Sequence, residues 1–472
     1  MLTDFVISRI RAELPFTPNG QQEQLLEKLG HFIVSQEADR VFLLRGYAGT
    51  GKTSVMAALV RAMHKLNHKT VLLAPTGRAA KVLSAHAGFP AYTIHKRIYR
   101  QKNMGKQTFS LSFNAQQDTL FVVDEASMIS NRQGENRSFG TGCLLDDLLQ
   151  YVFSGNRCAL ILIGDNAQLP PVGQQDSPAL DPDNLLGYGL QVTEHTLTEV
   201  ARQALESGIL FNATRLRRQL AEGDVERLPV FVTEGFDDIR HLNGEEMTEE
   251  IERSYREAGV EETMVVTHTN RRMNLYNQGI RARILWKEDE LSGGERLMVI
   301  RNNYYFTRQY EGIDFLANGD IFEVIRVRNR RELYGFRFAD ASLRAVDYDW
   351  EIDVILWLDI LGIESPEAAY PLQQQLFQRI AEDYPEIRSR KELAKTVLES
   401  PYYNALQVKH AYAVTCHKAQ GGQWERVFID QGPISEDQLG SDYYRWLYTA
   451  LTRASKQVYL INFTEKSPNK AK

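Results

Sequence analysis

The sequence has few cysteines, and none of them forms a closely spaced pair. Cys143, Cys158 and Cys416 are its three cysteines in 472 residues, and no Cys-x-x-Cys motif occurs. Isolated cysteines argue against a disulfide framework and against a cysteine-based zinc site, and they are typical of a reducing compartment. We therefore expect a cytoplasmic protein without a structural metal.

Long apolar runs and an excess of positive charge are also missing. No stretch approaches the length of a membrane span, and the N-terminus, Met1-Leu2-Thr3-Asp4, begins without an apolar signal region. These absences predict a soluble, unexported protein. The formal net charge is −6 at pH 7, so a nucleic-acid partner would have to be held by local basic grooves rather than by an overall positive field.

The chain does contain enough apolar material for several hydrophobic cores. Apolar residues make up 43% of the sequence and charged residues 25%. By typical domain sizes, a chain of this length is expected to form roughly three or four compact units.

The segment Gly46–Thr53 has the sequence of a phosphate-binding loop. It reads Gly-Tyr-Ala-Gly-Thr-Gly-Lys-Thr and lies between an apolar run, 41–44, and a helical stretch, 54–65. In such a loop the backbone N–H groups face the phosphates at a helix N-terminus. Lys52 can reach the β and γ oxygens, and the Thr53 hydroxyl can hold Mg²⁺. The loop residues before them are Gly49, Thr50 and Gly51. The sequence therefore predicts a nucleoside triphosphate site.

Continuous apolar runs alternate with helical segments in the first half of the chain. They are Val41–Leu44, Thr70–Ala74, Leu120–Val123 and Ala159–Ile163. Such runs, without polar alternation, are typical of central parallel strands covered on both faces, so the predicted fold class is α/β with parallel sheets. Polar residues follow these strands, at the edge where ligands bind in an open α/β sheet.

Two acids and a glutamine stand at these strand ends. Asp124 directly follows a predicted strand and can join the Mg²⁺ shell, while Glu125 can orient and deprotonate an attacking water. Gln168 follows the next strand, where an amide can sense the γ-phosphate; the alternative is a turn residue before Pro170-Pro171. Together with the phosphate loop, these residues predict hydrolysis of the nucleotide.

Eight short motifs follow one another along the chain. They are GYAGTGKT from Gly46, APTGRAA from Ala74, TIH from Thr93, DEAS from Asp124, GDNAQLPPV from Gly164, LTEVARQ from Leu197, VTCHKAQG from Val414 and YTALTRA from Tyr448. In this order they resemble the motor core of superfamily 1 DNA helicases, in particular the RecD-like 5′→3′ branch. The resemblance covers most of the chain.

The resemblance implies ATP and Mg²⁺ as ligands and assigns roles to the matching residues. Arg202 and Arg453 are implied to be arginine fingers, and Gly421 is implied to lie beside the nucleotide. Thr53 and Asp124 are the implied metal ligands. The candidates for contacting a DNA strand are Thr76, Thr93, His95, Asn270, Thr415 and His417.

At two positions the match to the family is incomplete. Many relatives carry an acid after the His-Lys-x-Gln-Gly segment, but this chain has Gly422-Gln423-Trp424, so the usual carboxylate for a ribose contact is replaced. The glutamine that reads adenine is either Gln21 or Gln22. Gln22 is favoured, because it stands three residues before Leu25-Leu26 at the start of an amphipathic helix.

The resemblance also implies a domain organisation with two RecA-like lobes and ATP in the cleft between them. Residues 1–204 form the first lobe, with a small hairpin insertion at about 96–117. That hairpin is either a duplex-splitting element or a solvated β-hairpin with two core phenylalanines. Residues 205–290 and 402–472 form the second lobe. Residues 291–401, with short alternating strands and a charged helical segment, are implied to be an inserted SH3-like β-barrel plus helices.

The function that the resemblance implies is an ATP-dependent DNA helicase moving 5′ to 3′ on single-stranded DNA, with single strands and duplex junctions as partners. One alternative is a translocase or nucleoprotein remodeller, on DNA or RNA, without strong duplex unwinding. Another is a binding module that ATP switches without being hydrolysed. A small-molecule phosphotransferase is the least favoured function, because it would not require the long second lobe.

Overall fold

The protein is described by a computed structural model that covers residues 2–101, 109–133, 139–200, 206–310, 313, 315–364 and 368–463. Arg202 lies outside these described residues, and so does the centre of the predicted hairpin, 102–108. Within the described ranges, no helix is long and apolar enough to cross a membrane.

The first half of the chain builds a parallel six-stranded sheet. Its strands, with those of a small hairpin, are β1 (Arg40–Gly46), β2 (Lys69–Ala74), β3 (Ala91–Thr93), β4 (Tyr99–Gln101), β5 (Phe109–Leu111), β6 (Thr119–Val123), β7 (Ala159–Gly164) and β8 (Gln191–Leu197). The sheet order is β3-β2-β6-β7-β1-β8, with all pairs parallel. The four predicted apolar runs are β1, β2, β6 and β7. β6 and β7 are buried along their whole length, which confirms the parallel α/β class.

Helices cover both faces of this sheet. They are α1 (Leu2–Ala12), α2 (Gly20–Val34), α3 (Lys52–Lys65), α4 (Gly77–Ala87), α5 (Ile94–Ile98), α6 (Leu144–Phe153) and α7 (Pro182–Gly187). α1, α2 and α3 pack on one face through a core that includes Leu25, Leu59 and Phe42. α6 packs on the other face, in a core that includes Leu148, Phe121 and Leu160. We call this sheet with its helices the first lobe.

A second parallel sheet forms later in the chain. Its elements are α8 (Gly208–Glu222), β9 (Ile239–Leu242), α9 (Glu246–Glu257), β10 (Thr263–Thr267), α10 (Asn270–Arg283), β16 (Ala413–Thr415), α13 (Cys416–Ala419), β17 (Trp424–Asp430), α14 (Ser441–Leu451) and β18 (Ala454–Ile461). The strand order is β16-β10-β17-β18-β9. We call this unit the second lobe. Ala167 and Leu169 of the first lobe are buried in the core of the second lobe, so the two lobes share apolar contacts.

An antiparallel sheet is inserted between α10 and β16. It consists of β11 (Arg296–Val299), β12 (Ile321–Leu333), β13 (Phe336–Ala345), β14 (Glu351–Trp357) and β15 (Val408–His410), in the order β14-β13-β12-β11-β15. Two helices, α11 (Ala369–Ala381) and α12 (Arg390–Leu398), precede β15. Because β15 pairs with β11, Val408–His410 belongs to the antiparallel sheet, and the next strand of the second parallel sheet, β16, begins at Ala413.

β4 and β5 form an antiparallel pair at the start of the predicted hairpin insertion. Phe109 is buried and stacks on Phe139, and it also contacts Tyr304 and Phe315 of the inserted unit. Phe113, in contrast, is 76% exposed. Of the two phenylalanines in the core-hairpin alternative, Phe109 is therefore buried and Phe113 is exposed.

Candidate active site

The phosphate loop connects β1 to α3, as the sequence predicts. Gly49 and Gly51 have φ angles of 76° and 84°, a left-handed conformation that side chains disfavour. Gly51, the residue before α3, has no side chain to cap the first turn, and a helix N-terminus of this kind is a site where anions bind. Lys52 Nζ donates to Tyr47 O at 2.9 Å, which holds the ammonium over the loop.

A cavity of about 310 Å³ lies between the two lobes at this loop. It brings together most residues that were predicted for the nucleotide site. Those that line it are Gly49, Gly51, Lys52, Thr53, Asp124 and Glu125, with Gln168, Gly421 and Arg453. Residues separated by about four hundred positions thus meet around one space of a size suited to a small ligand.

The two candidate glutamines occupy different positions. Gln22 is buried, and its Nε2 donates to Thr50 O of the phosphate loop at 3.1 Å. The Gln21 side chain instead contacts the end of β8, where its Oε1 accepts from the N–H groups of Thr198 and Glu199. The contact with the loop supports Gln22 as the residue beside the nucleotide.

Asp124 and Glu125 stand together at the end of β6. Asp124 Oδ1 accepts from the Glu125 N–H at 2.8 Å, which leaves Oδ2 for a cation. Burial, and next the neighbouring Glu125 carboxylate, raise the pKa of Asp124 to about 6. A bound cation would offset both effects. Glu125 itself has a left-handed φ of 51°, which is uncommon for a non-glycine residue and turns its side chain toward the cleft.

These side chains fit Mg²⁺, which proteins hold with one or two carboxylates plus substrate phosphates and waters. Thr53 and Asp124 line the same cavity. Within the described ranges, no group of three or more His, Cys, Asp or Glu residues forms a metal cage.

Arg453 reaches this cavity from the second lobe, just after α14. Its Nη1 lies 3.5 Å from Glu125 Oε1 of the first lobe, and the residue is 5% exposed. Its Nε donates to Thr449 O at 3.1 Å, and Nη1 donates to Gly422 O at 3.3 Å. Arg453 is therefore not a surface arginine but a buried one, held across the cleft from a predicted catalytic acid.

Gln168 lies at the same edge and is also buried. Its side-chain Oε1 accepts no hydrogen bond from any described residue. A buried amide oxygen without a partner is costly, and a ligand or a water in the adjoining cavity can satisfy it. This supports the interpretation of Gln168 as a residue that senses what occupies the site.

Tyr448 and Asp165 form a link between the lobes that the sequence analysis did not assign. The Tyr448 hydroxyl, on α14, donates to Asp165 Oδ2 at 2.6 Å and accepts from the Ala48 N–H of the phosphate loop at 2.9 Å. Burial raises the pKa of Asp165. Both residues lie inside recognised motifs, but 283 positions separate them. No local pattern in the sequence indicates that they pair.

Replacing Tyr448 by phenylalanine should loosen this link. The ring stays in place, but the Asp165 carboxylate and the Ala48 N–H lose a partner in a buried site. We expect a cost of about 1–3 kcal/mol. In a thermal unfolding experiment without nucleotide, the midpoint should fall by several degrees, since about 1 kcal/mol corresponds to 2–4 °C in units of this size.

Tyr443→Phe is the matched control for this prediction. Tyr443 is a second buried tyrosine of α14, and its hydroxyl has no hydrogen-bond partner among the described residues. We expect this change to leave the midpoint nearly unchanged. Equal midpoints for the two variants would contradict the proposed role of the Tyr448 hydroxyl.

The residues predicted to contact a nucleic-acid strand lie mainly along two adjoining cavities. Thr76, Thr93 and His95 line a space of about 380 Å³ between the first lobe and the inserted unit. His95 and His417 line a neighbouring space of about 570 Å³. Asn270 and Thr415 are not among the residues lining either cavity; they lie at the carboxyl edge of the second sheet, where Thr267 pairs with Thr415.

The chemistry of these residues is polar rather than cationic. Burial lowers the pKa of His95 to about 4, so its imidazole is neutral at pH 7. Thr76 and Thr93 cap helices, because their Oγ1 atoms accept from the Ala79 and Lys96 N–H groups. Each hydroxyl keeps a proton that it can donate to a phosphate oxygen. Such contacts position a strand without reading its bases.

Two segments of the chain match known protein families. Residues 18–236 match the family described as AAA domain, and residues 410–461 match the UvrD-like helicase C-terminal domain. The chain is 29% identical over 194 residues to the ATP-dependent RecD2 DNA helicase of Deinococcus radiodurans, covering 41% of this chain and 24% of that protein. It is 24% identical to the ATP-dependent DNA helicase dda of Enterobacteria phage T4, covering 89% of this chain and 93% of that protein.

Among solved structures, the Pif1 helicase from Bacteroides in complex with ADP-AlF3 and ssDNA is similar at 15% identity, with a TM-score of 0.48 and coverage of 96% of this chain and 94% of that one. The chain thus spans nearly all of the phage protein but only a quarter of RecD2. The two family matches lie on either side of the inserted sheet, and their segments carry the motifs that line the cleft. The two family matches and these relatives confirm the resemblance of the chain to superfamily 1 helicases of the RecD-like branch.

Proposed function

We propose that this protein is an ATP-dependent DNA helicase that moves along single-stranded DNA from 5′ to 3′ and separates duplex DNA. The observation that carries this proposal is the placement of Arg453 from the second lobe 3.5 Å from Glu125 of the first lobe. A site divided between two lobes can couple the nucleotide state to their relative movement, which is what a motor requires.

Within the cleft, each residue has a proposed role in ATP hydrolysis. Lys52 stabilises the transferring phosphate, Glu125 orients and deprotonates the attacking water, and Gln168 senses the γ-phosphate. Thr53 and Asp124 would hold Mg²⁺, which when bound neutralises charge on the phosphate oxygens. Arg453 neutralises charge that develops in the transition state. Arg202, which lies outside the described residues, is proposed to act with it. Gln22 is proposed to contact adenine.

The strand is proposed to lie along the two cavities beside the inserted unit. Thr76, Thr93, His95 and His417 would contact phosphate or sugar there, with Asn270 and Thr415 contributing from the second lobe. Because such contacts are mostly to the backbone, we expect little preference for base sequence.

The finer architecture is also part of the proposal. The antiparallel sheet β11–β15 is proposed to be an SH3-like insertion, and β4–β5 the base of a hairpin insertion in the first lobe. The lobe boundaries at 204, 290 and 402 remain predictions, as does a cytoplasmic location. Duplex junctions are the proposed substrates because the hairpin and the inserted unit meet beside the strand cavities, through Phe109 and Tyr304.

A polarity assay tests this function. Duplexes with either a 5′ or a 3′ single-stranded tail are incubated with ATP, and strand separation is measured. We expect unwinding of the 5′-tailed duplex and little of the 3′-tailed one. Unwinding from a 3′ tail would contradict the direction. ATP hydrolysis stimulated by single strands, without unwinding of either duplex, would instead support a translocase or remodeller. A lack of hydrolysis would support an ATP-switched binding module.

A further inference from the structure

The N-terminal end of α4 packs directly against the loop 421–424 of the second lobe. A Cβ atom at Gly421 would lie 2.8 Å from the Ala79 Cβ atom and 3.0 Å from Thr76 Oγ1, so a larger residue does not fit. Thr76 is a candidate strand contact, while Gly421 lines the nucleotide cavity. The proposed strand site and the proposed nucleotide site therefore meet where α4 contacts the loop 421–424.

Arg78, on α4 of the first lobe, contacts two other parts of the molecule beside the loop 421–424. Its Nη2 donates to Gln423 O at 3.1 Å, and its guanidinium lies 5.2 Å from the centre of the Trp424 ring. On its other side, Nη1 lies 3.6 Å from Asp347, between β13 and β14 of the inserted unit. Trp424 is only 3% exposed. A single side chain of the first lobe thus contacts both the second lobe and the inserted unit.

The same loop holds Arg453. The Trp424 N–H donates to Arg453 O at 2.9 Å, and Arg453 Nη1 donates to Gly422 O at 3.3 Å. The guanidinium of Arg453 faces Glu125 at 3.5 Å. A shift of the loop relative to α4 would therefore change the distance between Arg453 and Glu125.

We propose that Arg78 is a positioning residue that couples strand binding at the N-terminus of α4 to the placement of Arg453 in the nucleotide site. This inference rests on the proposed function. A strand phosphate at the N-terminus of α4 fixes that helix. Arg78 transmits the helix position to the loop 421–424, and the loop sets the position of Arg453. Arg78 itself touches neither the nucleotide nor the attacking water.

The contacts at this position suit arginine rather than lysine. The guanidinium is planar, so it can lie over an indole ring while its N–H groups donate at the edge of the same plane. A lysine can keep a positive charge near Asp347. It cannot make the ring contact and the hydrogen bond to Gln423 O with the same geometry.

The test is the effect of Arg78→Lys on the stimulation of ATP hydrolysis by single-stranded DNA. We expect the ratio of DNA-stimulated to DNA-independent turnover to fall by about 5- to 100-fold, the usual range of coupling between two sites. The KM for ATP should stay near the parent value, because Arg78 does not contact the phosphate loop. A merely structural role would instead change KM, turnover and thermal stability together.

Lys81→Met is the matched control. Lys81 lies one turn further along α4, donates to Val346 O at 2.8 Å and lies 3.4 Å from the same Asp347. It therefore shares the contact with the inserted unit, and among the described residues it makes no polar contact with the loop 421–424. Because the Lys81 side chain is 47% exposed, solvent screens its charge, and we expect the stimulation ratio to stay within about twofold of the parent.

A double-mutant cycle with Arg78→Lys and Trp424→Leu tests whether the coupling passes through the contact between these two residues. If the two residues act together, the double variant should lose little more stimulation than Arg78→Lys alone. Additive losses, or an unchanged ratio in Arg78→Lys, would overturn the inference. If the parent protein showed no stimulation by single strands, the proposed function would fail first, so the two failures are distinguishable.

Discussion

Glu125→Gln should abolish nearly all ATP turnover while ATP still binds. The substitution keeps the shape of the side chain and removes its ability to accept a proton. We expect turnover in the presence of single-stranded DNA to fall by about 10²- to 10⁴-fold, the usual contribution of a general base. Steady-state phosphate release, measured beside the binding of an ATP analogue, checks both parts of this expectation.

The structure explains why binding should survive this change. Burial and then the Glu125 charge raise the pKa of Asp124. A neutral residue at 125 removes the second of these causes, so Asp124 is more readily ionised and remains available to a cation. A glutamine can still accept a hydrogen bond from Arg453, which lies 3.5 Å away in the parent.

Asp118→Asn provides the control for the loss of one carboxylate in the same lobe. Asp118 pairs with Arg157 at the surface, where both side chains are more than half exposed. We expect turnover to be unaffected, because exposed pairs contribute about 0–1 kcal/mol and this one lies outside the cleft. If Glu125→Gln hydrolysed ATP at the rate of Asp118→Asn, the assignment of Glu125 as the base would be wrong.

The parts of the fold that could be predicted are those that local sequence determines. The run Leu120–Val123 is a strand buried along its length, and the glycines around Thr50 take the left-handed angles that the phosphate loop needs. Each of these features depends on a few consecutive residues. A continuous apolar run or a glycine at a fixed spacing is therefore sufficient to indicate them.

Pairings between distant residues could not be predicted in the same way. Tyr448 reaches Asp165 and Ala48, and Arg78 reaches Gln423, 345 positions away. The motifs indicated that these segments belong to one site but not which atoms meet. Hydrogen bonds of this kind depend on how two separately folded lobes are placed, and no local pattern contains that information.

The sequence also did not indicate which polar residues are buried. His95 was assigned to strand contact from the resemblance, but its neutral state follows from packing against Tyr99 and Phe139. Phe139 is a single aromatic residue in a stretch rich in glycine, serine and asparagine, so it has no periodicity to reveal it. Likewise, three residues at Val408–His410 are too short a run to show that they pair with β11 rather than with the second lobe.

Arg453→Lys should separate a motor from a binding module. An arginine finger contributes about 10³- to 10⁵-fold to hydrolysis, and a lysine keeps the charge but not the fork. We therefore expect DNA-stimulated turnover to fall by about 10²-fold or more and unwinding to disappear. Binding of ATP and of single-stranded DNA, measured separately, should stay close to the parent, since lysine preserves the charge in the cleft.

The contacts of Arg453 explain the expected loss of turnover, and a second arginine provides a matched control. In the parent, its Nε and Nη1 atoms donate to Thr449 O and Gly422 O while the guanidinium faces Glu125. One ammonium cannot hold all three positions. Arg445, on α14, also crosses between the lobes, to Asp176 at 3.0 Å, but it does not line the nucleotide cavity. Arg445→Lys should therefore leave turnover largely intact. If both variants hydrolysed ATP at the parent rate, hydrolysis would not require the second lobe, and coupling of ATP to lobe movement through Arg453 would have to be abandoned.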